Sequence, residues 1–434
     1  MLMHSVHGFH GDSGRGPSSS DGPEPVLRSG VVAPPAGAAS RRRLVQPPLP
    51  APPRQVAQRR SIRREAEGDG SGGVGEGSAG AGSAGQREHL QAVARAKLAA
   101  WRVPDDYDYS LASMDYYKAA PGTPGHECYG DSPYAEVRGT RDYTFHRMPC
   151  RRRTGLQDAI IAFHMAEGDA SDRPWMVFTA GAMGAGKSFT MRRLAERNLF
   201  GLNHFMRVDP DAIKYMLPEM EGYLARDRSS AGTMVHDEST FVSELVQGEG
   251  LAESKHLLVD GSLRNVDWYA ALFQRIRQDY PHYRIAVLHV VASKETVYNR
   301  AAARAMQTGR EVPRQMLDLA MEEVPLSVEK LGMLADYAAQ IRNEEDADLV
   351  LERVCSGGHG WKRTVPRSDA GDREGGGDDD EVCVVEDLSW EALGTQFRDA
   401  EGLESGTFDD SLGAHLRANM PHVNSPDQQA RSNL

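Results

Sequence analysis

The stretch from Trp175 to Ser188 constrains this chain more than any other part of it. Trp175-Met176-Val177-Phe178-Thr179 is an apolar run of strand length. Gly181-Ala182-Met183-Gly184-Ala185-Gly186-Lys187-Ser188 follows, and a helical pattern runs on from Lys187 to Asn198. A strand, a loop with glycines at those places and then a helix is the arrangement that wraps a phosphate, the P-loop. The glycines let backbone N–H groups curl around phosphate oxygens. The helix N-terminus, which includes Phe189, adds its partial positive charge. Lys187 is placed to reach the β- and γ-phosphates of a nucleotide, and the Ser188 hydroxyl to reach Mg²⁺. The alternative is a chance match in a chain with 44 glycines. The strand before the loop and the helix after it weigh against that alternative.

The rhythm that starts at this loop continues. Apolar runs at 205–208, 256–259, 284–291 and 337–341 read as further strands. Helical patterns at 210–217, 233–251, 267–278, 294–306 and 314–332 lie between them. Strands alternating with helices form parallel βαβ units. Near-continuous apolar strands imply a sheet covered on both faces. The fold class is therefore α/β, a P-loop NTPase with three αβα layers around a mostly parallel five-stranded sheet, in a core spanning residues 168–352. Residues 88–167 read as a helical and irregular extension packed on that core. Its helices are Glu88–Trp101 and Thr154–Glu167, the second with Leu156, Ile160, Ile161 and Met165 on one face.

Composition accounts for the rest. Hydrophobic residues make up only 40% of the 434, so one folded domain with long flanks is expected rather than several domains. Residues 1–87 are rich in Gly, Pro, Ser, Ala and Arg and read as a disordered arm, because they cannot bury enough apolar surface to offset chain entropy. Residues 1–64 hold ten Arg against three acids, while the whole chain carries −12. Residues 353–434 read as an acidic, largely disordered tail with one short helix at Leu388–Phe397. The arm has almost no aromatics to stack on bases, so nucleic acid is not indicated as a partner. No run of 18 apolar residues exists to span a membrane. No secretory h-region is visible, although the Arg-rich, acid-poor arm admits an organellar transit peptide. Cys128, Cys150, Cys355 and Cys383 form no C-x-x-C pair, so neither zinc nor a redox motif is expected. A cytoplasmic, reducing compartment fits best.

Three groups of polar residues fall where strands end, the edge at which doubly wound sheets bind ligands. Asp209-Pro210-Asp211 closes the second strand. Asp209 with Pro210 after it is also an ordinary N-cap arrangement. Asp211, in the first helical turn, is placed to take a proton from an attacking hydroxyl; the plainer alternative is an acid complementing the helix dipole. Asp260 ends the third strand at the position of a Mg²⁺-holding carboxylate, or else caps the next turn. Arg300 and Arg304 lie four apart on one helix, with Arg310 and Arg314 beyond. They read as a clamp for transition-state charge or as a solvated basic face. His289, inside an apolar strand, reads as a hydrogen-bonded core residue.

These residues together resemble the zeta toxin-like P-loop kinases over about Trp175 to Asn343. The matching pieces are Gly181 to Ser188, Asp209-Pro210-Asp211-Ala212-Ile213-Lys214, Leu217-Pro218-Glu219, His236-Asp237-Glu238-Ser239, Asp260-Gly261-Ser262-Leu263-Arg264 and Gly309-Arg310-Glu311-Val312-Pro313. Bacterial members use ATP to phosphorylate a sugar hydroxyl of UDP-N-acetylglucosamine. The resemblance implies Asp211 as general base, with Glu238 and Ser262 contacting the acceptor beside Asp209 and Arg264. It implies Arg310 with Arg300 or Arg304 on the phosphates, and Asn343 near the adenine. The long arm, the extension and the acidic tail lie outside the toxin core, so the chain looks like a freestanding, eukaryotic-type member. No antitoxin partner is assumed.

The resulting expectation is a small-molecule kinase that takes ATP and Mg²⁺ and transfers the γ-phosphate to a hydroxyl, with a nucleotide sugar as the first candidate. Two rivals stand beside it: a kinase for another small acceptor, and an ATP-hydrolysing switch. GTP is disfavoured by the lack of an Asn-Lys-x-Asp element. A switch would keep Asp260 and would not need Asp211.

Overall fold

Strand β1 (Trp175–Ala180) is buried along its whole length. Met176 and Phe178 enter one apolar cluster, while Trp175 and Val177 enter a second on the opposite face. Period-2 alternation thus drives two cores from one strand, as a sheet covered on both sides requires. The computed structural model describes residues 79–308, 311–345, 347–358, 360–363 and 389–398. The arm up to residue 78 and most of the acidic tail lie outside the described residues.

The sheet has seven strands. They are β1, β2 (Met206–Val208), β3 (Leu257–Asp260), β4 (Arg284–Val291), β5 (Tyr337–Arg342), β6 (Val350–Ser356) and β7 (Lys362–Arg363), in the order β2-β3-β1-β4-β5-β6-β7. The first five pair in parallel. The five-stranded expectation is corrected by two antiparallel additions, β5 with β6 and β6 with β7. β6 alternates less cleanly than its neighbours. Leu351 and Cys355 are buried, but the strand also carries Glu352 and Arg353, so apolar periodicity alone does not mark it.

The helices are α1 (Ala79–Ala100), α2 (Arg151–Met165), α3 (Lys187–Glu196), α4 (Pro210–Met216), α5 (His236–Ala252), α6 (Val266–Asp279), α7 (Lys294–Thr308), α8 (Arg314–Leu334) and α9 (Trp390–Arg398). Further short helices include Ser113–Tyr116 and Met220–Arg226. α1 starts nine residues before the expected Glu88, inside the segment assigned to the arm. Local signals set several ends. Asp209 caps α4, with Pro210 at its first position. The Asn265 side chain caps α6 by accepting from the Trp268 N–H at 3.1 Å.

The extension is part of the core. Leu156, Ile160 and Ile161 of α2 are buried in the same cluster as Phe178 and Val287, with Met165 at its margin. On the other face α9 inserts Phe397 against Trp175 at 5.2 Å, Phe200 at 4.9 Å and Tyr337 at 5.9 Å. The helix expected in the tail is therefore a packed element of this face. Among the described residues no helix is long and apolar enough to cross a membrane.

Candidate active site

The carboxyl ends of β1, β2 and β3 meet at one edge, and the register sets Thr179 beside Asp260. Chain order reverses about β1, because β3 flanks it on one side and β4 on the other. Such a reversal opens the crevice where α/β sheets bind ligands.

The loop after β1 depends on its glycines. Gly181, Gly184 and Gly186 have φ of 140°, 94° and 88°, which side chains with a Cβ rarely adopt. A Cβ would also collide at each place. It would lie 2.4 Å from the Val290 carbonyl oxygen at Gly181, 2.5 Å from the Val297 carbonyl oxygen at Gly184 and 2.3 Å from Asn343 Nδ2 at Gly186. Ala182 and Ala185 turn into the protein, Met183 is half-buried, and Ser188 and Phe189 are exposed in the first turn of α3. Lys187 lies over the loop. Its Nζ donates to the Gly181 carbonyl oxygen at 3.2 Å and stands 3.7 Å from Asp260 Oδ1.

A brace from β5 and α7 holds the far side of the loop. Asn343 Nδ2 donates to the carbonyl oxygens of Ala185 at 3.3 Å and Gly186 at 3.2 Å, and to Thr190 Oγ1 at 3.1 Å. Arg300 Nη1 donates to the Asn343 carbonyl oxygen at 3.0 Å and that of Ala185 at 3.4 Å. Asn343 is thus buried against the loop itself, where it fixes the loop's shape. Arg304 is exposed one turn further along α7. Arg310 lies outside the described residues.

Asp260, Asp209 and Asp211 lie at the ends of β3 and β2 and the start of α4. Asp260 Oδ1 accepts from Thr179 Oγ1 at 2.6 Å. Asp209 accepts the N–H groups of Asp211 at 2.8 Å and Ala212 at 3.1 Å, so it is the cap of α4. Burial, then the charges of Asp260 and Asp211, push the Asp209 carboxyl well above the usual carboxylate range. Asp211 accepts from Lys214 Nζ at 2.8 Å. The helical i, i+3 spacing of Asp211 and Lys214 was readable in the chain.

Ser262 is exposed in the turn after β3, next to Leu263, which is fully buried with φ of 51°. A left-handed non-glycine residue costs roughly 1 kcal/mol or more and is tolerated where packing over-determines it. Arg264 leaves this edge to pair with Glu323 of α8 at 2.8 Å.

Glu238 is fully buried. Arg153 of α2 donates to its two carboxylate oxygens at 2.6 and 2.8 Å, and Gln157 Nε2 donates at 2.8 Å. Burial alone would raise this carboxyl, but Arg153 beside it holds it below the usual range. The same guanidinium holds Glu219 with two bonds of 2.9 Å, and the Tyr117 hydroxyl adds a third at 2.8 Å. Arg153 lies in a run of three arginines, Arg151 to Arg153, and nothing in that run marks which of them is buried.

The Zeta toxin family profile matches residues 164–353. Residues 164–353 are a zeta toxin domain. Similar solved structures include a chain of the PezAT chromosomal toxin–antitoxin system of Streptococcus pneumoniae. It is 17% identical over 45% of this chain and 78% of that one, at a TM-score of 0.38. The AvrRxo1-ORF1:-ORF2 complex with ATP matches at 15% identity over 58% and 79%, at 0.41. The same complex with sulphate ions matches at 15% over 76% and 92%, at 0.38. Overlaps this loose carry no argument about chemistry. No curated protein sequence matches the chain. The zeta toxin domain begins at residue 164, so Arg153 reaches its two glutamates from outside the span that defines the family.

Proposed function

We propose that this zeta toxin-domain protein is an ATP-dependent phosphotransferase that moves the γ-phosphate to a hydroxyl of a small acceptor, with a nucleotide sugar such as UDP-N-acetylglucosamine as the first candidate. The observation that carries the reading is the single edge shared by the phosphate loop, Lys187 and the Asp209, Asp211 and Asp260 carboxylates. A switch protein has no use for a carboxylate at Asp211 as a proton acceptor.

In this reading the loop amides and Lys187 hold the β- and γ-phosphates. Asp211 accepts the acceptor's hydroxyl proton as its oxygen forms the new bond to the γ-phosphorus. The bond from that phosphorus to the bridging oxygen breaks, and its electron pair leaves with ADP. Arg304, and Arg310 from the segment between α7 and α8, are the candidate cations for charge developing on the transferred group, with Arg300 bracing the loop. Asp209 and Ser262 flank the acceptor side.

Oxygen donors suit Mg²⁺ here. The exposed Ser188 hydroxyl and the partly exposed Asp260 carboxylate are hard ligands, and Mg²⁺ takes few protein ligands when phosphates supply the rest. Among the described residues no cluster of three or more His, Cys, Asp or Glu forms a self-contained metal site. Bound there, Mg²⁺ would offset charge on the β- and γ-phosphate oxygens.

The test uses ATP labelled in its γ-phosphate and a panel of acceptors, starting with UDP-N-acetylglucosamine and including nucleosides and polyols. Asp211→Asn is expected to lower transfer at least ~10²-fold while leaving ATP affinity within a few-fold, the scale of losing a general base. Undiminished turnover in that variant would hand the case to the switch reading.

A further inference from the structure

We propose that Lys214 is a positioning residue for the transfer: its buried ammonium holds the Asp211 carboxylate in the orientation from which it takes the acceptor's proton. The inference rests on the reading of Asp211 as base and adds a residue to it.

Lys214 lies on the same short helix, α4, three residues after Asp211, and its Nζ reaches Asp211 Oδ1 at 2.8 Å. The Lys214 side chain is 5% exposed and that of Asp211 28%. The ammonium end of the pair is therefore buried, while the Asp211 side chain stays partly exposed. A lysine is seldom buried to this degree without a task or a partner. An exposed i, i+3 pair would swing freely and contribute little. This one is pinned at its inner end.

The surroundings give the pairing a purpose. Asp211 is close to Asp209 and Asp260, and Asp209 already suffers from their charges. Without a cation on its inner side, the Asp211 carboxylate would be repelled by that pair toward solvent, away from a hydroxyl lined up on the γ-phosphate. Lys187 is engaged elsewhere, at the Gly181 carbonyl and Asp260. Lys214 is a cation in direct contact with Asp211. Phosphoryl transfer is sensitive to placement, since a misplacement of about 1 Å can cost ~10²-fold.

The experiment is a double-mutant cycle on the full chain. It follows loss of the γ-phosphate from ATP in the presence of UDP-N-acetylglucosamine and Mg²⁺, and counts transfer to the sugar and to water together. Lys214→Met is expected to lower kcat by ~10-fold or more while KM for ATP stays within about twofold. Lys214→Arg, which can still donate to the carboxylate, is expected to recover most of that loss. Lys214→Met added to Asp211→Asn is expected to be no slower than Asp211→Asn alone, because a residue that acts through Asp211 has nothing left to orient. Multiplying losses would overturn the proposal, as would a Lys214→Met enzyme with an unchanged kcat. Lys214→Gln serves in the same cycle should the Met variant fail to fold. If the wild-type chain releases no γ-phosphate to either acceptor, the kinase reading itself fails and this inference falls with it. If the wild type is active and only the cycle is additive, the kinase reading stands and Lys214 has another role.

Discussion

At the scale of single residues, charge and burial decide more than identity does. Asp209 caps α4 and is held protonated more readily than an ordinary carboxyl by burial and by its neighbours Asp260 and Asp211. A folded pKa raised above the unfolded value gives stability that is present at low pH and lost as pH rises through the folded value. Asp209→Asn keeps an oxygen to accept the two N–H groups and removes the repulsion. It is therefore expected to unfold at higher urea than the wild type, with the gain growing from pH 5 to pH 8. A gain that shrinks with pH would contradict this. Two histidines work in the opposite sense. His256 Nδ1 accepts the Trp175 N–H at 3.1 Å, and burial followed by Arg284 lowers its pKa to about 4. Burial lowers that of His289 to about 4 as well. Their stabilisation is complete above the unfolded value of 6.5. It is lost as pH falls toward about 4, at up to ~1.4 kcal/mol per pH unit for each. Urea titrations at pH 7 and pH 5 read this directly, and His256→Gln is expected to flatten the slope.

At the scale of elements, the frame that carries Asp211 is held from the extension. Arg153 of α2 joins Glu219, which follows α4, to Glu238 of α5, and all three are fully buried. Removing one partner of a buried ion network leaves uncompensated charge and costs about 3–5 kcal/mol. Arg153→Met is expected to lose stability on that scale in chemical denaturation. Arg153→Met combined with Glu219→Gln and Glu238→Gln is expected to regain a large part of it. A loss below about 1 kcal/mol in the single variant would mean that the hub is not what joins α2 to α5.

At the scale of the molecule, the family profile and the folding unit have different borders. The zeta toxin domain covers 164–353, but its interior borrows Leu156, Ile160 and Arg153 from one side and Phe397 from the other. A chain cut to 164–353 would leave Glu219 and Glu238 without their cation and uncover the Trp175 face. It is expected to be insoluble or to unfold without a cooperative transition. A chain of residues 79–398 is expected to melt as one unit and to bind ATP. A well-folded 164–353 fragment in circular dichroism and thermal melts would refute this account.

Much of this was legible in the amino-acid order alone. The phosphate loop, the five parallel strands, Asp209 and Asp260 at strand ends and Asp211 in the first turn of α4 follow from local rules: apolar period, glycines where φ is positive, and acids where helices begin. Those rules act over a few residues, so a linear reading captures them. The two antiparallel strands, the packing of α9, the brace from Asn343 and Arg300, and the hub that buries Glu238 do not follow in this way. Each joins residues far apart in the chain, such as Arg153 with Glu238 or Asn343 with Gly186. Whether a charged side chain ends in water or in a buried ion pair depends on which distant surface closes over it, and only the tertiary structure decided that.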